Sequence, residues 1–170
     1  MKYARRLSLL AAALVTLASA LALQAAAGPP NHANRLEATF AETNVSVTNR
    51  IADLGIFQLI NTGTGTVDGF GDATVTVSVT QDRAVNPCGE GSWTNAGIRR
   101  IGLDGDVLVV RELVYICQTP SGPIGTGTWE VDGASSSGIF AGARGSGEAR
   151  VVVASRTSTL AGTLNLANGS

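Results

Sequence analysis

The sequence predicts an all-β fold, a small antiparallel barrel of eight strands, with a two-sheet sandwich as the competing arrangement. Three observations predict it. Beyond residue 35 no stretch sustains a helical apolar period. β-branched residues alternate with polar ones over short runs instead. Clusters of Gly, Asp, Asn and Ser break those runs at hairpin spacing. A meander of short strands carries exposed edges unless it closes, and closure into a barrel removes them. Eight strands leave a small interior, filled by side chains or holding one small ligand.

The first segment reads as a signal peptide over residues 1–27. Lys2, Arg5 and Arg6 form a basic start, residues 7–23 are free of charge, and Ala25-Ala26-Ala27 supplies small residues at a cleavage site. The run is too short and Ala-rich for a spanning helix, so the expectation is a secreted or extracytoplasmic chain starting at Gly28, with no membrane attachment. Residues 28–35, GPPNHANR, read as a flexible start to the mature chain, and residues 36–170 as one β-barrel domain.

Strands are expected at 36–48, 54–60, 66–80, 92–102, 106–117, 125–132, 146–154 and 157–166. In the third, Val75, Val77 and Val79 share one face, and Thr74, Thr76, Ser78 and Thr80 the other. Gly63-Thr-Gly65 reads as a hairpin turn, as does the Gly142–Gly147 stretch. Asp104-Gly105 between two alternating runs signals a type I′ hairpin. Val151-Val152-Val153 breaks the alternation and suggests a strand covered on both faces. In the last strand Leu160, Leu164 and Leu166 oppose Thr159, Thr163 and Asn165.

Composition excludes several chemistries. Lys2 is the sole lysine and leaves with the signal, so the mature chain has no lysine for Schiff-base chemistry. Removing Lys2, Arg5 and Arg6 from 12 basic residues leaves nine against 13 acidic ones, a net charge of −4. Scattered Arg on an acidic chain does not make the clustered basic face that nucleic acid requires. His32 is the one histidine and falls in the N-terminal segment, away from any nucleophile elbow. One His and two Cys supply neither zinc site nor cofactor ligation. The carboxylates of Asp68-Gly-Phe-Gly-Asp72 and Asp104-Gly-Asp106 follow no calcium-loop pattern, so no metal is expected. Neither glycine-rich string follows the phosphate-binding spacing or opens a helix.

Cys88 and Cys117 are an even count in an exported chain, and a disulfide between them is expected. Glu112 shares a face with Leu108, Val110, Val114 and Ile116, and a carboxylate on an apolar face needs a partner. Arg99 and Arg100 on the preceding hairpin strand are candidates for it, and the three are the candidate catalytic residues. Trp93, Tyr115 and Trp129 are candidates to line a ligand pocket, although core packing is the commoner use of such rings.

Gly125-Thr-Gly-Thr-Trp-Glu-Val131, then Gly138-Ile-Phe-Ala-Gly-Ala-Arg-Gly-Ser-Gly147, an apolar strand and Leu160-Ala-Gly-Thr-Leu164 resemble the allene oxide cyclase barrel-like and dirigent-like group, including its secreted bacterial members. Phe140, Gly142, Ala143, Gly145 and Gly147 keep that pattern, while Ala134–Ser137 depart from its usual Gly-Gly-Thr-like turn. The resemblance covers roughly the last third of the chain and implies a barrel with Phe140 plugging one end. It carries over no catalytic position. The expectation is a non-enzymatic exported barrel that holds a small apolar ligand or meets another surface, with a cyclase or isomerase of lipid-like or polyketide-like substrates as the alternative. Apolar strand faces in excess of a small interior add the expectation of a homo-oligomer.

Overall fold

A computed structural model describes residues 35–167, without the side chains of residues 44, 45, 49 and 52. The segment read as a signal peptide and the one after it, His32 included, lie outside the described residues, apart from Arg35. The strands are β1 (Leu36–Ile51), β2 (Ile56–Val67), β3 (Gly71–Asp82), β4 (Trp93–Leu103), β5 (Asp106–Cys117), β6 (Ile124–Val131), β7 (Arg144–Val152) and β8 (Thr157–Asn165). Each pairs antiparallel with the next, and β8 pairs with β1, so the sheet closes. The barrel, rather than the sandwich, is the outcome. No helix among the described residues is long and apolar enough to cross a membrane.

Alternation places one face of every strand inside. On β3, Ala73, Val75, Val77 and Val79 are buried while the intervening residues are exposed. Leu160 and Leu164 of β8 join the same core. Asp104 and Gly105 take positive φ of 46° and 91°, as a type I′ turn requires, and fix the β4–β5 register.

The β2–β3 turn differs from the sequence reading. Gly63 and Gly65 lie within β2, and the chain turns at Asp68, Gly69 and Phe70. On β2 the bare Cα of Gly65 passes the Phe40 ring, where an added Cβ would stand 2.7 Å from Cδ1. Gly145 and Gly147 likewise belong to β7, and only Gly142 is in the preceding loop. Val151, Val152 and Val153 are half-buried, not covered on both faces, because a single closed sheet has one inner face.

One end of the barrel is stopped. Phe140, on a short 3-10 turn Gly138–Phe140, is fully buried and meets Phe70 at 5.3 Å between ring centroids. Leu36, Phe40, Ile101, Leu108 and Trp129 fill the space behind it. Each such side chain contributes about 1.5–3 kcal/mol over its exposed state. The Trp129 indole has room because Gly162 has no side chain: a Cβ there would stand 2.8 Å from Cζ2.

The β6–β7 loop is tied to β5. Asp132 accepts from Arg111 Nη2 at 2.8 Å and from Ser135 Oγ at 3.0 Å. Ser136 Oγ accepts from the Val109 amide at 2.9 Å and donates to the Asp132 carbonyl at 2.9 Å. The Arg111 hydrogen bond, helped by Ser135, holds the Asp132 carboxyl below its ordinary range. A lowered carboxyl stabilises the fold above its unfolded-state pKa, and that contribution disappears as pH falls through the lowered value.

Two outcomes follow. The Ser135 amide shift should titrate below the ordinary carboxylate range, and Asp132→Asn should abolish that step, as read by NMR across acidic pH. Gly162→Val should destabilise by at least about 1–3 kcal/mol in urea unfolding, since the new side chain collides with Trp129.

Candidate functional site

The half of the barrel away from Phe140 is built differently. The β4–β5 register sets Gly97 opposite Glu112 and Arg99 opposite Val110. All four side-chain positions face inward, so Arg99 and Glu112 meet diagonally across two strands. Arg99 is 2% exposed, and Glu112 is nearly as buried. Arg99 Nε donates to Glu112 Oε2 at 3.0 Å and Nη2 to Oε1 at 3.3 Å, a two-pronged pair. Gly97 leaves that carboxylate its place: a Cβ there would stand 3.4 Å from both Glu112 Cγ and Oε1.

The same guanidinium reaches across the interior. Nη1 donates to Ser158 Oγ on β8 at 3.1 Å, and Nη1 and Nη2 both approach Glu42 Oε1 on β1 at 3.4 Å. Ser158 Oγ in turn donates to Glu42 Oε1 at 3.1 Å. Phe40 lies beside the guanidinium, 5.5 Å from ring centroid to Cζ. One cation therefore serves two carboxylates, and the group carries a formal charge of −1. Each carboxylate of this group, removed from water, depends on the donors around it.

Above this floor the inner wall is mixed: β3 and β5 keep Val79, Val114 and Ile116 buried, whereas the β2 and β4 sides are partly exposed. Phe57, Leu59 and Asn61 of β2, and Trp93, Asn95 and Gly97 of β4, sit on the inward face yet are only half-buried. The inward residues of the Phe140 half are, by contrast, excluded from solvent. Asn61 Oδ1, Asn95 Oδ1 and Trp93 Nε1 are buried without a hydrogen-bond partner. At the rim the exposed Arg83 bridges two rings, 5.2 Å from the Phe57 centroid and 5.3 Å from that of Trp93. The Cys88–Cys117 disulfide forms as expected, and pins the β3–β4 loop to the end of β5 at this mouth, with Cα atoms 5.5 Å apart.

The structure brings together only some of the sequence-derived candidates. Arg99 and Glu112 meet, and Trp93 lines the mouth. Arg100 does not join them: one residue out of phase, it is exposed on the outer wall. Tyr115 is also out of phase and 41% exposed on the outside, so it lines no interior pocket. Trp129 is buried beneath the site and donates Nε1 to the Glu148 carbonyl at 3.0 Å. Glu42, Ser158, Asn61 and Asn95 were not singled out from sequence. Leu36, Ala38, Phe40 and Glu42 nonetheless share two-residue spacing, and Ser158 precedes Leu160 by two, so the alternation carried that signal. Among the described residues no three His, Cys, Asp or Glu side chains are grouped to hold a metal ion.

A scan against models of known protein families matches none, and neither a curated protein nor a solved structure matches the chain. The closed eight-stranded barrel has the shape of the allene oxide cyclase and dirigent folds, and the likeness extends to that shape alone.

Glu112→Ala should cost about 3–5 kcal/mol, because it strips Arg99 of its two-pronged partner in a buried setting. Arg100→Gln should stay within about 0.5 kcal/mol of the parent. Urea unfolding of the two variants side by side checks both figures.

Proposed function

We propose that this protein is an exported barrel that holds a small, largely apolar ligand in its open half and performs no reaction on it. One observation carries the reading. Inward-facing residues of the Phe140 half are largely sealed from solvent, whereas Leu59, Asn61, Trp93 and Asn95 on the β2 and β4 sides of the other half are partly accessible, beside a buried apolar wall of Val79, Val114 and Ile116. A wall that faces inward and still meets solvent is the lining of a vestibule, and apolar linings with a few convergent polar groups are what small ligands occupy. The basic start and charge-free run of residues 1–27 support export, and the resemblance of the last third to allene oxide cyclase-like and dirigent-like barrels supports a ligand-associating role.

A cyclase or isomerase of the same shape is the second reading, favoured by two carboxylates and a guanidinium meeting at the vestibule floor. Both Glu112 oxygens accept from Arg99, so the second reading would have to work through Glu42, whose donors all fall on Oε1. Ile98, Leu113 and Tyr115 form an outer apolar face through which such a barrel would self-associate, a state that light scattering at high concentration reads.

Native mass spectrometry of the protein taken from its own host's exported fraction tests the binding reading. A one-to-one complex with a small molecule is expected. A bare chain, lighter by two hydrogens for the disulfide, with no small molecule bound even after soaking in host extract, would count against it.

A further inference from the structure

The unpaired polar atoms of the vestibule are mostly of one kind. Arg99 makes five contacts, to Glu112, Glu42 and Ser158, and these engage all three of its nitrogens. At the floor no cationic donor is left for an anionic ligand; the nearest other one, Arg83, is at the rim. Acceptors remain there instead, alongside the amide N–H groups of Asn61 and Asn95. Glu42 is nine-tenths buried, and both of its donors, Arg99 and Ser158, converge on Oε1. Among the described residues Oε2 receives none.

Asn61 Oδ1 and Asn95 Oδ1 are buried acceptors without donors, on the inner faces of β2 and β4 to either side of β3. Among the described residues, the one buried donor without a partner on the same inner wall is Trp93 Nε1. A buried acceptor left unpaired is unfavourable, and a carboxylate without a full complement of donors more so.

Resting on the reading that the open half receives a ligand, we propose that the ligand is a small amine, its ammonium group held by Glu42 Oε2 and its apolar body against Leu59 and Trp93. An ammonium is compact and carries several donors and no acceptor, the complement of this acceptor-rich floor. It also neutralises the formal charge of −1 left by two carboxylates on one guanidinium. Aromatic faces at the mouth suit a cation, as Arg83 stacked on Phe57 and Trp93 demonstrates. An oxygen near the amine would answer the Trp93 indole N–H. A carboxylate ligand, by contrast, would meet Glu42 and Glu112 at the floor, where Arg99 has no nitrogen left unengaged and Arg83 stands only at the rim.

Three probes of one size separate the possibilities: 2-phenylethylammonium, 2-phenylethanol and 3-phenylpropanoate. Calorimetry gives the affinities, and the Trp93 indole N–H resonance reports where binding occurs. The ammonium should bind at least about tenfold more tightly than the alcohol, and the carboxylate should not bind. Glu42→Gln should erase that preference while leaving the affinity for the alcohol unchanged. Glu130→Gln, on the exposed outer wall, should alter neither. Asn95→Leu, nearly isosteric and free of a buried unpaired oxygen, should weaken the ammonium alone and serves if Glu42→Gln fails to fold. Equal binding of alcohol and ammonium, or tighter binding of the carboxylate, would overturn the amine assignment and leave the vestibule reading standing. No shift of Trp93 with any of the three would overturn both.

Discussion

Closure of this barrel depends on a short seam. β1 pairs with β8 only from Leu36–Gly162 to Ala41–Thr157, whereas it pairs with β2 from Ala38–Val67 to Ile51–Ile56. Immediately past the last seam pair stands Glu42 on β1, and one pair before it Ser158 of β8 lies opposite Phe40. Arg99, on the opposite wall, holds both of them and Glu112 as well. A single guanidinium thus links β4 and β5 to the two strands that close the sheet. Removing one member of such a buried set leaves the others charged or polar without a partner, which is far worse than never having placed them there.

The same network explains why the two halves of the interior differ. Below Arg99 the inner positions are aliphatic or aromatic, and they pack to the Phe140 stopper. At and above it β3 and β5 still bury Val79, Val114 and Ile116, but β1, β2, β4 and β5 also bring in Glu42, Asn61, Asn95, Gly97 and Glu112, so the packing there is mixed rather than purely apolar. Gly97 leaves open the space beside Glu112, and the β2 and β4 walls rise past the β8 end to make one side of the mouth. Stability and accessibility are therefore segregated along the barrel axis. A binding function placed in the mixed half exacts little from the apolar half that keeps the protein folded.

Much of this was legible in the sequence, and the failures have physical causes. The β4–β5 hairpin was read to within a residue because Asp104-Gly105 permits a turn few other pairs can make. Phe140 as a stopper came with the resemblance of the last third to a known barrel group, and the residue is indeed fully buried. The β2–β3 turn was misplaced because glycine serves two ends: at Gly69 it allows a positive φ, while at Gly63 and Gly65 it lets a strand pass close to its neighbour. Composition alone does not separate those uses. Arg99 could have been preferred to Arg100 by counting in twos from Ile101, and Tyr115 set aside by counting from Glu112. What no local pattern contained was the meeting of Arg99 with Glu42 and Ser158, 57 and 59 residues away, since that contact exists only once the sheet has closed.

The central claim is that Arg99 secures the closing seam. Hydrogen exchange of individual backbone amides, compared between the parent protein and Arg99→Met under native conditions, tests it most directly. Protection should fall first and furthest in the amides of β1 and β8 around Phe40, Ala41 and Thr159, with β6 and β7 retaining theirs. Uniform loss across all eight strands, or a seam as protected as in the parent, would contradict the account.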